Sequence, residues 1–354
     1  MHAATAPLAE LRLCDEERFG GKSAALGELL AGGIPVPDGF AISATAFAAF
    51  VEGGGLRGAI ERTLADLDVD DLAAVQRASG ALTAAVAEAE LPPPLRAELL
   101  ERYVELGAEA GESEPPVAVR SSALGEDSAE ATFAGQQETY LWVRGANELC
   151  RAVQRCWASL YSAPSLTYRA RLGDETRAPA MGVAVQRMVD AEVAGVLFTC
   201  NPVSGDPSVV AIDASWGLGL AVVGGEVTPD EYLLSKVTGE IVRSSVNAKL
   251  VEYRPGPHGA GAVRVEVPAE RASAPCLDDA HRSDLMRVAR DVERHFGSHQ
   301  DVEWAIDAAG RTYVLQARPV TSAPHTRAAT APAGDSALAL VMSALGVKLR
   351  REDA

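Results

Sequence analysis

Residues 301–319 read Asp-Val-Glu-Trp-Ala-Ile-Asp-Ala-Ala-Gly-Arg-Thr-Tyr-Val-Leu-Gln-Ala-Arg-Pro. Two runs rich in apolar residues, 301–306 and 312–317, flank a short polar turn, which is the pattern of two strands. Alternation puts Asp301 and Glu303 on one face of the first strand, and Gln316 and Arg318 on one face of the second. If the strands pair as a hairpin, two carboxylates, an amide and a guanidinium converge in one patch. That inventory suits Mg²⁺ bound together with nucleotide phosphates. A surface cross-strand salt bridge is the plainer alternative, and spacing alone favours it.

Working outward, a long helix is predicted over about 279–297, just before this pair of strands. Short strands dominate from Met181: 181–188, 193–199, 208–214, 230–236 and 239–246. The first hundred residues read mostly as helix, near 44–52, 71–90 and 95–110, with a short strand at 40–42. Strands at 117–120 and 139–143 and a helix over about 147–172 lie between. No regular βαβ period of about 30 residues runs through the chain, so the expected class is α+β (mixed α/β) and multi-lobed. Lobes are expected at about 1–115, 116–195 and 196–321. Residues 322–334, rich in Ala, Pro, Thr and Ser, read as a linker. Asp335 then caps an amphipathic helix over 335–354, with Leu338, Val341, Met342 and Leu345 on one side.

Composition narrows the function. The chain has 354 residues, 47% hydrophobic and 23% charged, enough for a core of good size and against wholesale disorder. Its net charge of −17 opposes binding to DNA, RNA or anionic lipid. No apolar run is long enough for a transmembrane helix, and no secretory leader is read at the N-terminus. Five scattered cysteines without a CxxC pair read as free thiols in a reducing cytoplasm, not as a zinc site. Lys22, Lys236, Lys249 and Lys348 are the only lysines among 32 basic residues. A lysine in a motif therefore carries unusual weight.

Gly20-Gly21-Lys22-Ser23 is such a motif. It fails as a P-loop, because Glu16 stands where GxxxxGK[ST] needs glycine. A Gly-Gly turn, a helix start at Ser23 and a lysine make either an anion cradle or a flexible turn with a solvated lysine. Arg120-Ser121-Ser122-Ala123 ends a strand before a Ser/Thr/Gly-containing loop, and Arg120 there either clamps phosphate or pairs with Glu126 or Asp127. Asp213-Ala214-Ser215-Trp216-Gly217-Leu218-Gly219 closes another strand in a glycine-rich turn, which suits close approach of a ligand or an ordinary bend.

Taken in order, five blocks resemble one family. GGKSAALGELLAGGIPVPDGFAIS, VAVRSSALGEDSAEATFAGQQETYL, VLFTCNPVSGD, ASWGLGLAVVGGEVTPDEYLLSK and DVEWAIDAAGRTYVLQARPVT are similar to the N-terminal ATP-binding domain of phosphoenolpyruvate synthase, pyruvate phosphate dikinase and rifampicin phosphotransferase. The resemblance covers roughly residues 11–321. It implies an ATP-grasp-like, multi-lobed nucleotide-binding domain with ATP and Mg²⁺ as ligands. It also implies that Lys22 and Arg120 hold phosphates, Gly135 and Thr139 line the phosphate loop, and Gln186 helps hold the nucleotide. Glu303 and Gln316 would contact ribose or Mg²⁺, with Asp301 nearby as a further metal ligand. Arg318 would reach the terminal phosphates, making Arg318, Lys22 and Arg120 the catalytic set. One departure is Leu220, where the family commonly has glutamate after Gly-Leu-Gly.

The family's full enzymes carry a mobile phosphohistidine domain and an acceptor-binding domain. None of the six histidines here sits in a Thr-Ser-His context. The resemblance therefore implies an ATP-binding catalytic subunit or domain that passes phosphoryl groups to a histidine on a separate partner, which phosphorylates a small-molecule acceptor. Phenylphosphate synthase is organised in this way. Two alternatives stand beside it: a fragment of a single-chain rifampicin phosphotransferase or phosphoenolpyruvate synthase, and a non-catalytic nucleotide-binding regulatory module, to which Leu220 lends support.

Overall fold

A computed structural model describes residues 3–65, 67–124, 138–171, 180–259 and 261–320. Gly135, the expected linker over 322–334 and the expected helix over 335–354 lie outside the described residues. The fold is mixed helix and sheet, as expected, and divides into two compact units. The first comprises the chain up to Glu28, Asp38–Met188 and Pro257–Gly261. The second comprises Leu29–Pro37, Val189–Gly256 and the chain from Ala262 onward.

The first unit carries β1 (Thr5–Pro7), β2 (Gly39–Ile42), β3 (Val117–Ala123), β4 (Thr139–Val143) and β5 (Met181–Arg187). They form one antiparallel sheet in the order β1-β2-β5-β3-β4. Its helices begin with α1 (Glu16–Phe19) and α2 (Gly21–Ala31). There follow α3 (Ala44–Gly53), α4 (Arg57–Ala65), α5 (Leu72–Glu88), α6 (Pro93–Ala110), α7 (Ala146–Ala158) and α8 (Ala163–Arg171). Helix α5 starts where the Asp71 carboxylate accepts the amides of Ala73 and Ala74. It buries Val75, Ala78, Leu82 and Val86, the 3–4 residue spacing of one helical stripe. Val117, Val119, Val183 and Val185 of the sheet join the same core, where the Trp157 ring stacks on Phe50 at 5.1 Å. The predicted helix over 147–172 is broken into α7, a 3₁₀ turn at Ser159–Tyr161 and α8. Pro164 explains the break, since it can neither donate to nor pack against a continuous preceding turn.

The second unit carries β6 (Ala191–Phe198), β7 (Val209–Trp216), β8 (Asp230–Ser235), β9 (Ile241–Ser245), β10 (Val251–Pro255), β11 (Ala262–Glu266), β12 (Gln300–Asp307) and β13 (Thr312–Pro319). Six of these make an antiparallel sheet, β13-β12-β6-β7-β8-β9, and β10-β11 form a hairpin that the sequence reading did not separate. Its helices are α9 (Leu220–Val223), α10 (Ala269–Ala272) and α11 (Asp279–Phe296). Helix α11 is capped by Asp278 and buries Leu285, Val288, Ala289 and Val292. It packs on β12 and β13. Val302, Trp304 and Ile306, which alternate along β12, are all buried.

Several buried carboxylates of this unit are matched by bases. Lys249 and Asp230 are fully buried and paired, Nζ to Oδ1 at 2.5 Å, and Asp230 also accepts the Cys276 and Asn247 amides. Lys236 pairs with Glu293 at 2.6 Å. Arg254 bridges Glu192 and Glu252, which also meet Arg271. Two of the chain's four lysines thus serve the fold.

Candidate nucleotide-binding faces

The Lys22 turn is built by close packing. Gly20 has φ +82°, and a Cβ on it would lie 2.1 Å from the Ser122 carbonyl oxygen. A Cβ on Gly182 of β5 would lie 2.1 Å from the Phe19 carbonyl oxygen. Only residues without a side chain let this turn press onto β3 and β5. Helix α2 then starts at Gly21, two residues earlier than the sequence suggests, and the Ser23 amide donates to Ser122 Oγ at 3.2 Å. Lys22 is held against the sheet and is 4% exposed.

Register places the other expected residues on that face. Arg120 pairs with Thr139 on one side and Ala184 on the other, and Ala118 pairs with Gln186. Register partners share a face, as do residues two apart on a strand. Arg120, Ser122, Thr139 and Gln186 therefore project from the face of the sheet opposite Val119 and Val185. Arg120 is 8% and Gln186 2% exposed. Gln186 Nε2 and Ser23 Oγ are buried without a hydrogen-bond partner among the described residues. Buried donors left in that condition cost about 1–3 kcal/mol each, a cost that a polar ligand would remove.

The second group lies on one face of the second unit. β12 and β13 pair as the hairpin expected, with Asp301 opposite Arg318 and Glu303 opposite Gln316. Arg318 grips one carboxylate oxygen: Nε donates to Asp301 Oδ2 at 2.9 Å and an Nη stands 2.8 Å from the same atom. Asp301 is buried, and desolvation pushes its pKa up while Arg318 pulls it down. A β-bulge makes the arrangement possible. Trp304 pairs with Val314 but Glu303 pairs with Gln316, so Leu315 is an extra residue on β13. Val314 then faces the core with Trp304, while Gln316 and Arg318 turn to the other side. Strict alternation would have put all three on one face.

Two residues on this face were not singled out from the sequence for chemistry. Asp213 of β7 pairs with Val196 of β6, which pairs with Glu303, so Asp213 projects on the same side as the hairpin carboxylates. Its partner on β8 is Glu231. Burial, with Glu231 and Asp301 nearby, pushes the Asp213 pKa up to about 7. The available signal was an acid inside the apolar strand Val-Val-Ala-Ile-Asp-Ala-Ser-Trp.

The residues present fit a magnesium ion. Glu303 and Gln316 offer two oxygen donors from adjacent strands, and Mg²⁺ is commonly held by one or two carboxylates together with substrate phosphates. No group of three His, Cys, Asp or Glu among the described residues could cage an ion by itself.

The family model for the pyruvate phosphate dikinase AMP/ATP-binding domain matches residues 16–337. The chain belongs to that family. It is 41% identical over 315 residues to a probable phosphoenolpyruvate synthase of Methanocaldococcus jannaschii, covering 89% of this chain and 26% of that one. It is 38% identical over 351 residues to the phosphoenolpyruvate synthase of Pyrococcus furiosus, covering 88% and 43%. The chain thus spans well under half the length of these curated relatives. Among solved structures, D-cycloserine synthetase DcsG shares 13% identity at a TM-score of 0.30, over 90% of this chain and 66% of that one. That is too distant to bear on chemistry. No described helix is long and apolar enough to cross a membrane.

Proposed function

We propose that this pyruvate phosphate dikinase-type domain binds Mg-ATP and transfers a phosphoryl group from it to a histidine on a separate partner protein or domain. The partner then phosphorylates a small-molecule acceptor, as a phosphoenolpyruvate synthase does within one longer chain. The observation that carries the reading is the buried cationic face: Lys22 and Arg120, with the amide of Gln186, in a chain whose net charge is −17. Two cations buried on one sheet face, beside an amide without a partner among the described residues, suit an anionic ligand.

In this reading residues 1–321 act as one ATP-binding domain in the cytoplasm, with Gly135 and Thr139 lining the phosphate loop. Lys22 and Arg120 hold phosphate oxygens, and Gln186 donates to the nucleotide. Glu303 and Gln316 hold Mg²⁺, which when bound neutralises phosphate charge. Asp301 acts on Arg318: two bonds to one oxygen fix the guanidinium toward the phosphate being transferred. Fixed donors of this kind act where charge develops and need no reorganisation during reaction. The phosphoryl group passes to the partner's histidine and not to water, which the bound nucleotide's site keeps out.

Calorimetry of the full chain with ATP and magnesium tests the reading. Binding in the micromolar to millimolar range with little steady-state hydrolysis supports it. Failure of ATP, ADP and AMP all to bind would end it, and robust ATPase activity of the pure chain would exclude the partner-dependent form.

A further inference from the structure

Asp213 and Glu231 stand directly opposite each other across the β7–β8 ladder, on one face. Like charges in that position destabilise a sheet. Asp213 is 4% exposed, and neither carboxylate makes a hydrogen bond or ion pair among the described residues. The contrast with the rest of the unit is sharp, because Asp230, Glu252, Glu293 and Asp301 all have bases within bonding distance.

A second observation lies two residues along β7. Ser215 shares the Asp213 face by strand alternation, is 1% exposed, and its Oγ has no hydrogen-bond partner among the described residues. A buried hydroxyl without a partner and a carboxylate without a base among the described residues, neighbours on one face, suit a cation that takes oxygen ligands.

We propose that Asp213, Glu231 and the Ser215 hydroxyl bind a divalent cation of the Mg²⁺ or Mn²⁺ class, at a site distinct from the Glu303/Gln316 pair. Two carboxylates and a hydroxyl supply part of the coordination sphere, and water completes it, as is usual for Mg²⁺. Protons compete with a metal ion for carboxylate oxygens, so binding strengthens as pH rises. If the functional reading above holds, the ion lowers the negative charge of the face on which a polyanion must settle. The site itself does not depend on that reading. The competing state is a carboxyl–carboxylate pair sharing one proton and binding no metal.

The test is Mn²⁺ titration of the nucleotide-free full chain at about pH 8, with free Mn²⁺ read by electron paramagnetic resonance. One bound Mn²⁺ per chain is expected, with affinity weakened at least about tenfold by Asp213→Asn and by Glu231→Gln, and preserved in Glu303→Gln. Thermal melting of each variant confirms that it is folded. Absence of binding below about 1 mM Mn²⁺ overturns the proposal, and so does binding indifferent to Asp213→Asn and Glu231→Gln. Equal loss in Glu303→Gln would assign the ion to the hairpin instead. Nucleotide binding is measured separately, so an intact Mn²⁺ site beside absent ATP binding would overturn the functional reading alone.

Discussion

The two units each present one polar face, and the faces have opposite chemistry. In the first, the polar residues are donors: Lys22, Arg120, Gln186 and the hydroxyl of Ser23. In the second they are mostly acceptors: Asp213, Glu231, Asp301, Glu303 and Gln316, with Arg318 the cation on the hairpin. A protein of net charge −17 could hold a phosphate ligand by general positive potential nowhere. It instead concentrates a few buried cations at one place and carboxylates at another. The difference teaches that sign is set locally, by burial and register, and not by composition.

The largest expected effect comes from breaking a matched pair in the acceptor-rich unit. Lys249→Ala strands Asp230 as a buried, unpaired charge and should cost about 3–5 kcal/mol of stability, read by urea unfolding. A cost below about 1 kcal/mol would mean that the Asn247 and Cys276 amides satisfy Asp230 without the lysine. Arg318→Ala should lower transfer to a competent partner by about 10²–10³, with an unchanged circular dichroism spectrum. Near-native transfer would remove Arg318 from the reacting group.

The unmatched carboxyl gives a pH signature. The folded-state pKa of Asp213, about 7, lies above its unfolded value, so the folded state binds the extra proton. Its contribution to stability is therefore complete below about pH 4 and is lost as pH rises toward 7. In the presence of chelator, Asp213→Asn should flatten that fall by a few kcal/mol in a pH series of unfolding curves. On the donor face, Lys22→Ala and Arg120→Ala should each weaken ATP by about 1.5–3 kcal/mol in calorimetry while leaving Mn²⁺ binding untouched. Asp71→Ala is the smallest change. It removes a helix cap far along the chain from either face and should cost about 1 kcal/mol of stability with ATP affinity unchanged.

Much of this was legible in the sequence, for identifiable reasons. The Lys22 turn stood out because lysine is rare here, and the hairpin residues because alternation is a strong local signal. The mixed α+β class followed from the interleaving of helical and strand periods. What escaped were features that belong to pairs of strands. The bulge at Leu315 exists only in the ladder between β12 and β13, so residues 312–318 read by themselves look continuous. Asp213 acquires meaning from Glu231, eighteen positions on, and from Asp301 still farther along. Pro164 was visible, but a single helix read over 147–172 passes across it. Helix α4 went unread because its nine residues, Arg57–Ala65, bury none of their side chains completely.

The Gly20–Ser122 contact has a consequence for heritable variation. Lys22 and Arg120 could be exchanged for each other's chemistry, or for a weaker donor, and leave a chain that still folds with a diminished site. Gly20 has no such intermediate step, because even one methyl group meets a backbone oxygen at 2.1 Å and the left-handed backbone resists every other residue. The position most closed to mutation on the donor face thus carries no functional group at all. A screen for lost activity would find it as readily as any cation, and nucleotide chemistry would not explain the hit.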